Sequence, residues 1–254
     1  MKVLVSIESV EEAASIVEAG VDILDVKNVA EGALGAQAPW RTAGIVDLAR
    51  PHGVRTSAAL GDLDFKPGTA ALAARGAASL GVDYVKAGLH SMSTAAHACD
   101  MMAAVGRAAR MDDGRASVVA SVVACGYADW RRFDGLSAGD LVHAAHATQC
   151  DAVMVDTAIK DGTSLFDHMS RAEIADFVGA ARAAQLVVAL AGSINLEHVV
   201  ALQRIDPDFI GVRGAVCRND GDRTTTIDPE KTACFCATIH ESTAARTART
   251  SSQP

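Results

Sequence analysis

The chain has 254 residues, half of them hydrophobic, and a formal net charge of −8 at pH 7. This composition excludes a largely disordered protein, and the acidic balance with only 4% aromatic residues argues against a nucleic-acid-binding surface. No apolar run approaches the roughly 20 residues of a membrane helix, and Cys99, Cys125, Cys150, Cys217, Cys234 and Cys236 form no CxxC pair, which suits reduced thiols in a cytoplasm and no metal site.

Taken in chain order, short β-branched runs alternate with longer alanine-rich amphipathic stretches. The first strand is expected at 3–7, and the acidic Glu8 after it marks a strand and not a signal peptide. A helix follows over 10–19. A second strand at 22–27 leads into an irregular segment, 28–38, and a helix over 40–49. Strands at 55–60, 84–89, 117–125, 152–157, 187–192 and 209–213 are each followed by a turn and a helical pattern. Those helices are expected at 69–80, 94–109, 138–148, 171–184, 196–204 and 229–240. Eight strand–helix units imply an α/β protein, a single (β/α)8 TIM barrel over 1–241. A doubly wound sheet is the alternative, but no Gly-x-Gly-x-x-Gly follows the first strand. The polar stretch 242–254 reads as a disordered tail.

The chemistry is signalled by lysine. Only 6 of the 23 basic residues are lysines, yet three of them, Lys27, Lys86 and Lys160, sit at the ends of apolar strand patterns. Lysine differs from arginine in that its amine can lose a proton and attack a carbonyl. Strand alternation puts Asp25 on the face of Lys27, and Asp156 on that of Lys160 if the strand stays extended. Strands 2, 4 and 6 carry the lysines and strand 8 carries Arg213, so all four cations are expected to converge at the barrel mouth beside Asp25 and Asp156. Crowded like charges and burial lower a lysine pKa, leaving one amine free to attack.

Late in the chain, Gly192-Ser193 and Arg213-Gly214 end strands 7 and 8, where barrels often hold phosphate on backbone N–H groups. Gly192, Ser193, Gly214 and Arg213 are the candidate phosphate residues, with pairing to Asp25 or Asp156 inside the barrel as the alternative for Arg213. Tyr127 and Asp129 follow strand 5 as groups that would support the site. His90 reads as a loop residue, His143 and His146 as an exposed helical face, and Met101 and Met102 as packing.

The same residues carry a resemblance. Asp25-Val26-Lys27-Asn28, the run Glu31 to Ala36, Pro39-Trp40, Lys66 to Thr69, Gly126-Tyr127-Ala128-Asp129, Asp156 to Gly162 and Gly211 to Gly214 resemble (5-formylfuran-3-yl)methyl phosphate synthase, an enzyme family of methanofuran biosynthesis. The resemblance runs from strand 1 to about Cys217 and carries nothing after Arg218. It implies a TIM-barrel lyase, without cofactor, that joins two molecules of glyceraldehyde 3-phosphate. It also implies that Lys27 forms the Schiff base, that Lys86 accepts a proton, and that Asp25, Asp156 and Lys160 complete the charged site. The expected partner is a small triose phosphate, with no nucleic acid and no membrane, and a homo-oligomer is left open. A Schiff-base aldolase on another sugar phosphate, or a silent phosphate-binding barrel, is the competing reading.

Overall fold

In a computed structural model, residues 1–112 and 119–250 are described, with side chains of the last helix described to residue 244. Eight parallel strands close into a barrel in the order β1-β2-β3-β4-β5-β6-β7-β8. They are β1 (Lys2–Ile7), β2 (Ile23–Val26), β3 (Arg55–Asp62), β4 (Tyr84–Gly88), β5 (Ser121–Tyr127), β6 (Ala152–Asp156), β7 (Val187–Leu190) and β8 (Phe209–Val212). The outer helices are α1 (Val10–Ile16), α2 (Pro39–Ala49), α3 (Pro67–Ser79), α4 (Ala95–Ala109), α5 (Ala138–Ala147), α6 (Leu165–His168), α7 (Arg171–Ala183), α8 (Val199–Ile205) and α9 (Pro229–Thr250). All eight expected strands and all eight expected helices are present. The first two positions expected for strand 5, 117 and 118, lie outside the described residues.

Local chemistry sets the helix starts. Ser9, Thr94, Ser137 and Ser170 each accept a hydrogen bond from a first-turn N–H of α1, α4, α5 and α7. The short α6 escapes the sequence pattern because four residues carry no helical period. The stretch from 242 is also corrected: α9 continues through it to Thr250, and only 251–254 lie outside the described residues.

Strand alternation divides the apolar residues into two sets. Val3, Val5, Leu24, Val26, Val85, Val153, Val188 and Ile210 face outward and join the helices in one continuous core, which also takes Met101 and Met102. The other set, including Ala59, Val123, Cys125, Met154, Ala189 and Ala191, fills the barrel interior, and Ala33 and Leu34 of the loop after β2 close over it. Ser6, Asp25 and Ser57 are register partners across β1, β2 and β3, so a polar layer interrupts this interior. No helix among the described residues is long and apolar enough to cross a membrane.

Candidate active site

The polar layer begins with Asp25, which is fully buried. It accepts hydrogen bonds from the Ser6 hydroxyl at 3.0 Å and the Ser57 hydroxyl at 2.5 Å. The Lys86 ammonium, 2% exposed, lies 2.6 Å from its Oδ1, at an angle short of a well-aligned hydrogen bond. Burial alone pushes the Asp25 carboxyl up, but Lys86, Lys27 and the Ser57 hydroxyl outweigh it and hold the group below the usual carboxylate range.

Two residues further along the same face stands Lys27, 6% exposed, whose Nζ donates to the Ala33 carbonyl at 3.2 Å. Burial lowers its pKa to about 8. Asp156 and Asp25 work against this, while Lys160 and Lys86 add to it. Across the mouth, Lys160 Nζ donates to Asp156 Oδ1 at 2.7 Å and to the Thr157 hydroxyl at 3.0 Å. Burial opposes the charge on Asp156 too, yet Lys160 and Lys27 bring its pKa down to about 2. The three lysines and two aspartates expected together are therefore brought together.

β6 stops at Asp156, so simple alternation does not carry Lys160 into the site. Asp129 does, by accepting the backbone N–H groups of Ala158 and Ile159 at 2.7 and 2.9 Å and folding the loop back. Asp62 plays the matching part after β3. It accepts from the N–H groups of Ala33 and Leu34 and from the Tyr127 hydroxyl, and so pins the loop over Lys27. Burial raises the Tyr127 phenol well above its ordinary range, with the Asp62 charge adding to it. His90 stacks on Phe133 and meets the edge of Tyr127, which keeps it in the loops as expected. His143 and His146 lie on the exposed face of α5.

A cavity of about 510 Å³ opens over this group. Lys27, Asp156 and Lys160 line it with Gly192, Ser193, Gly214 and Arg223, whereas Lys86 lies behind Asp25 and does not. The backbone N–H groups of Ser193, Ile194, Gly214 and Ala215 meet no protein acceptor among the described residues, and all four residues line the cavity. Gly192 has φ +105°, and a Cβ there would stand 2.9 Å from the Thr157 side chain. A Cβ on Gly214 would stand 2.9 Å from the Gly221 carbonyl oxygen. Both glycines are thus required by neighbouring chain, with any anion a further tenant.

Arg213 departs from expectation. Its side chain turns out of the lysine group, because the chain leaves β8 at Val212 and turns at Arg213 into a 3-10 turn over Gly214–Val216. Its Nε donates to the Arg223 carbonyl at 2.6 Å, and its Nη1 and Nη2 are taken by Glu8, Glu12 and the Ser6 and Thr225 carbonyls. All its donors are committed to holding β1, α1 and the loop after β8 together. Ser6, Ser57, Asp62, Thr157 and Arg223 are site residues that the sequence reading did not single out. Ser6 and Ser57 were signalled by polar positions inside apolar strands, while Arg223 lies in a loop without periodicity.

A family model described as 4-HFC-P synthase matches residues 3–235. The (5-formylfuran-3-yl)methyl phosphate synthase of Archaeoglobus fulgidus is 48% identical over 240 residues, covering 94% of this chain and all of that one. The enzyme of the same name from Methanococcus maripaludis is 44% identical over 223 residues, covering 88% of this chain and 92% of that one. Among solved structures, 3-hexulose-6-phosphate synthase from Salmonella typhimurium superposes with a TM-score of 0.61 at 18% identity, covering 96% of this chain and 99% of that one. At that identity the likeness concerns the fold.

Proposed function

The chain belongs to the 4-HFC-P synthase family of enzymes, and from that membership we propose that it condenses two molecules of glyceraldehyde 3-phosphate through an imine on Lys27. The product is 4-(hydroxymethyl)-2-furancarboxaldehyde phosphate, for methanofuran biosynthesis. Two trioses supply its six carbons, and the loss of one phosphate and two waters balances the equation without an oxidant. The observation that carries the reading is Lys27 itself: a cavity-lining amine whose pKa lies near 8, between two ionised aspartates.

The neutral amine adds to the aldehyde carbon, and the carbinolamine loses water to give an iminium. The iminium acidifies the neighbouring carbon by accepting its electron pair. The base that takes this proton is Lys86 in its pair with Asp25. The Lys86 ammonium lies 2.6 Å from the Asp25 carboxylate, one residue pair below Lys27 on the same face of the barrel interior. The enamine electron pair has two outlets, the carbonyl carbon of the second triose and the departing β-phosphate; one pair serves one outlet, so the other step draws on the pair released by a further deprotonation. Lys160 and Asp156, on the far wall, serve the proton transfers of ring closure and dehydration.

Gly192, Ser193 and Gly214 are proposed to hold one substrate phosphate, with the free N–H groups of Ser193, Ile194, Gly214 and Ala215 as its donors. Arg213 is left out, since its donors are committed. Because Gly192 is needed by Thr157, the cleaner test is Ser193, whose φ of +49° is one that glycine adopts freely. Ser193→Gly should raise KM for glyceraldehyde 3-phosphate about 10-fold while preserving the melting temperature, the loss of one hydroxyl bond to a charged group. An unchanged KM removes the Ser193 hydroxyl from the phosphate site, and anion density away from these loops in a phosphate-soaked crystal overturns the assignment as a whole. The reading as a whole is tested by incubating the protein with glyceraldehyde 3-phosphate and identifying the product by mass and furan absorbance. A linear six-carbon sugar phosphate would identify an aldolase instead.

A further inference from the structure

Four cations line the cavity: Lys27, Lys160, Arg213 and Arg223. Lys160 is paired with Asp156, and Arg213 with Glu8 and Glu12. Lys27 is the imine-forming amine in the reading above. That leaves Arg223, which has no carboxylate within 4 Å among the described residues. Asp220, an acidic neighbour in the same wall, is taken by Lys231 at 2.6 Å.

Arg223 is nevertheless held in place. Its Nη2 donates to the Gly32 carbonyl at 2.7 Å and to the Val29 carbonyl at 3.4 Å, so it bridges the loop after β8 to the loop that covers Lys27. Its own carbonyl accepts from Arg213 Nε, and through that bond the Arg213–Glu8–Glu12 group fixes the segment that carries it. A guanidinium has five N–H donors, and those on Nε and Nη1 meet no acceptor among the described residues. It is half-buried, and burial weighs against its charge. A fixed, partly desolvated guanidinium facing a cavity, with no carboxylate in direct contact among the described residues, matches an anion, and its planar fork matches phosphate.

The place of this group matters. The four free N–H groups sit on the loops after β7 (Ser193, Ile194) and β8 (Gly214, Ala215), while the Arg223 side chain reaches across to the loop after β2, above Lys27. One phosphate on those four N–H groups leaves the Arg223 guanidinium, turned towards the loop over Lys27, to a second. We propose that Arg223 binds the phosphate of the second triose, the aldehyde that the Lys27 enamine attacks. Two subsites thereby present two phosphorylated aldehydes to one amine, and the second discriminates against unphosphorylated aldehydes. The proposal rests on the two-triose reading above.

The test separates the two half-reactions. In the full-length protein, borohydride trapping of the Lys27 imine reads the first triose, and furan absorbance reads the second. Arg223→Gln should trap the imine at wild-type triose concentrations but require roughly 10- to 100-fold more triose for furan formation. Arg223→Lys, which keeps the charge without the fork, should fall between the two. An unchanged concentration dependence of furan formation overturns the proposal. So does a parallel loss of trapping and furan formation, which would mark Arg223 as a purely structural tie to the loop over Lys27. Calorimetry with inorganic phosphate is independent of turnover: the wild type should bind two equivalents and Arg223→Gln one, and equal stoichiometry in both overturns the assignment. A wild type that binds two phosphates yet makes no furan would instead sink the condensation reading and leave the Arg223 site standing.

Discussion

Lys27→Arg should abolish product formation, with a fall in kcat of about 10³-fold or more, because a guanidinium stays protonated and forms no imine. Borohydride with substrate should add mass to the peptide containing Lys27 in the wild type and to no peptide in the variant. Labelling at Lys86 or Lys160 with Lys27 unmodified would reverse the assignment. The geometry favours Lys27 over Lys86, since Lys27 lines the cavity whereas Lys86 lies behind Asp25. It favours Lys27 over Lys160 because Lys160 is tied to both Asp156 and Thr157. The same pKa fixes a pH dependence. Attack needs the neutral amine, so the rate of imine trapping should rise with pH and level off above about 8.

Stability gives an independent reading of that amine. Its folded pKa, about 8, lies below the ordinary 10.5, so the unfolded chain binds the proton more tightly. Below pH 8 the buried ammonium therefore costs stability in full, and the cost disappears as pH rises from about 8 to 10.5. At about 1.4 kcal/mol per tenfold change in proton affinity, the full cost is about 3 kcal/mol. Lys27→Met should accordingly melt higher than the wild type at pH 7 and approach it above pH 10. A variant that melts lower at pH 7 would show that Lys27 is comfortably charged where it sits, contrary to its role as nucleophile. A group that destabilises the fold yet remains in it is expected at a reactive centre.

The contrast between Lys27 and Arg213 shows how far the sequence carries. Both end a strand pattern, and alternation assigns both to the interior. Lys27 obeys because the chain beyond Asp25 stays extended for two more residues, and its N–H still pairs with the Ile7 carbonyl of β1. Arg213 does not, because Glu8 and Glu12 stand beside the end of β8 and supply a carboxylate partner outside the lysine group. Those acids are 201 and more positions away in the chain, so no local pattern announces them. Lys160 reaches the site for a reason that is equally non-local: Asp129 of the neighbouring loop folds its segment inward. Strand and helix positions follow from hydrophobic period, and their closure into a barrel follows from the count of units. Side chains beyond the last ladder bond depend on partners that only the closed fold brings near. Arg223 is the extreme case, a loop residue whose interest lies in having no carboxylate within 4 Å among the described residues.

Lys86 is expected to matter almost as much as Lys27, but to a different step. Lys86→Arg keeps a positive charge beside Asp25 and removes a group that can become neutral. Imine trapping at Lys27 should persist, while furan formation falls by ~10²-fold or more, the usual worth of a proton-transferring group. The larger side chain must also fit where the wild-type residue is 2% exposed, so a loss of 1–3 kcal/mol from overpacking is expected, roughly. Lys86→Gln separates that steric effect from the electrostatic one. It fits the space but leaves Asp25, with no exposure to water, short of the ammonium at 2.6 Å. Breaking a buried pair from one side typically costs about 3–5 kcal/mol. That penalty has a pH signature. With Lys86 present, the Asp25 carboxyl is held below its ordinary range, so the pair contributes stability that is lost only as pH falls through that depressed value. Without Lys86 the burial that opposes ionisation prevails, the carboxyl titrates higher, and stability should begin to fall at a higher pH than in the wild type. Both variants should therefore form the imine and stall after it, with the Gln variant alone showing the altered acid limb in thermal melts. Near-normal furan formation by either would remove Lys86 from the mechanism and leave Asp25 and water to carry the proton.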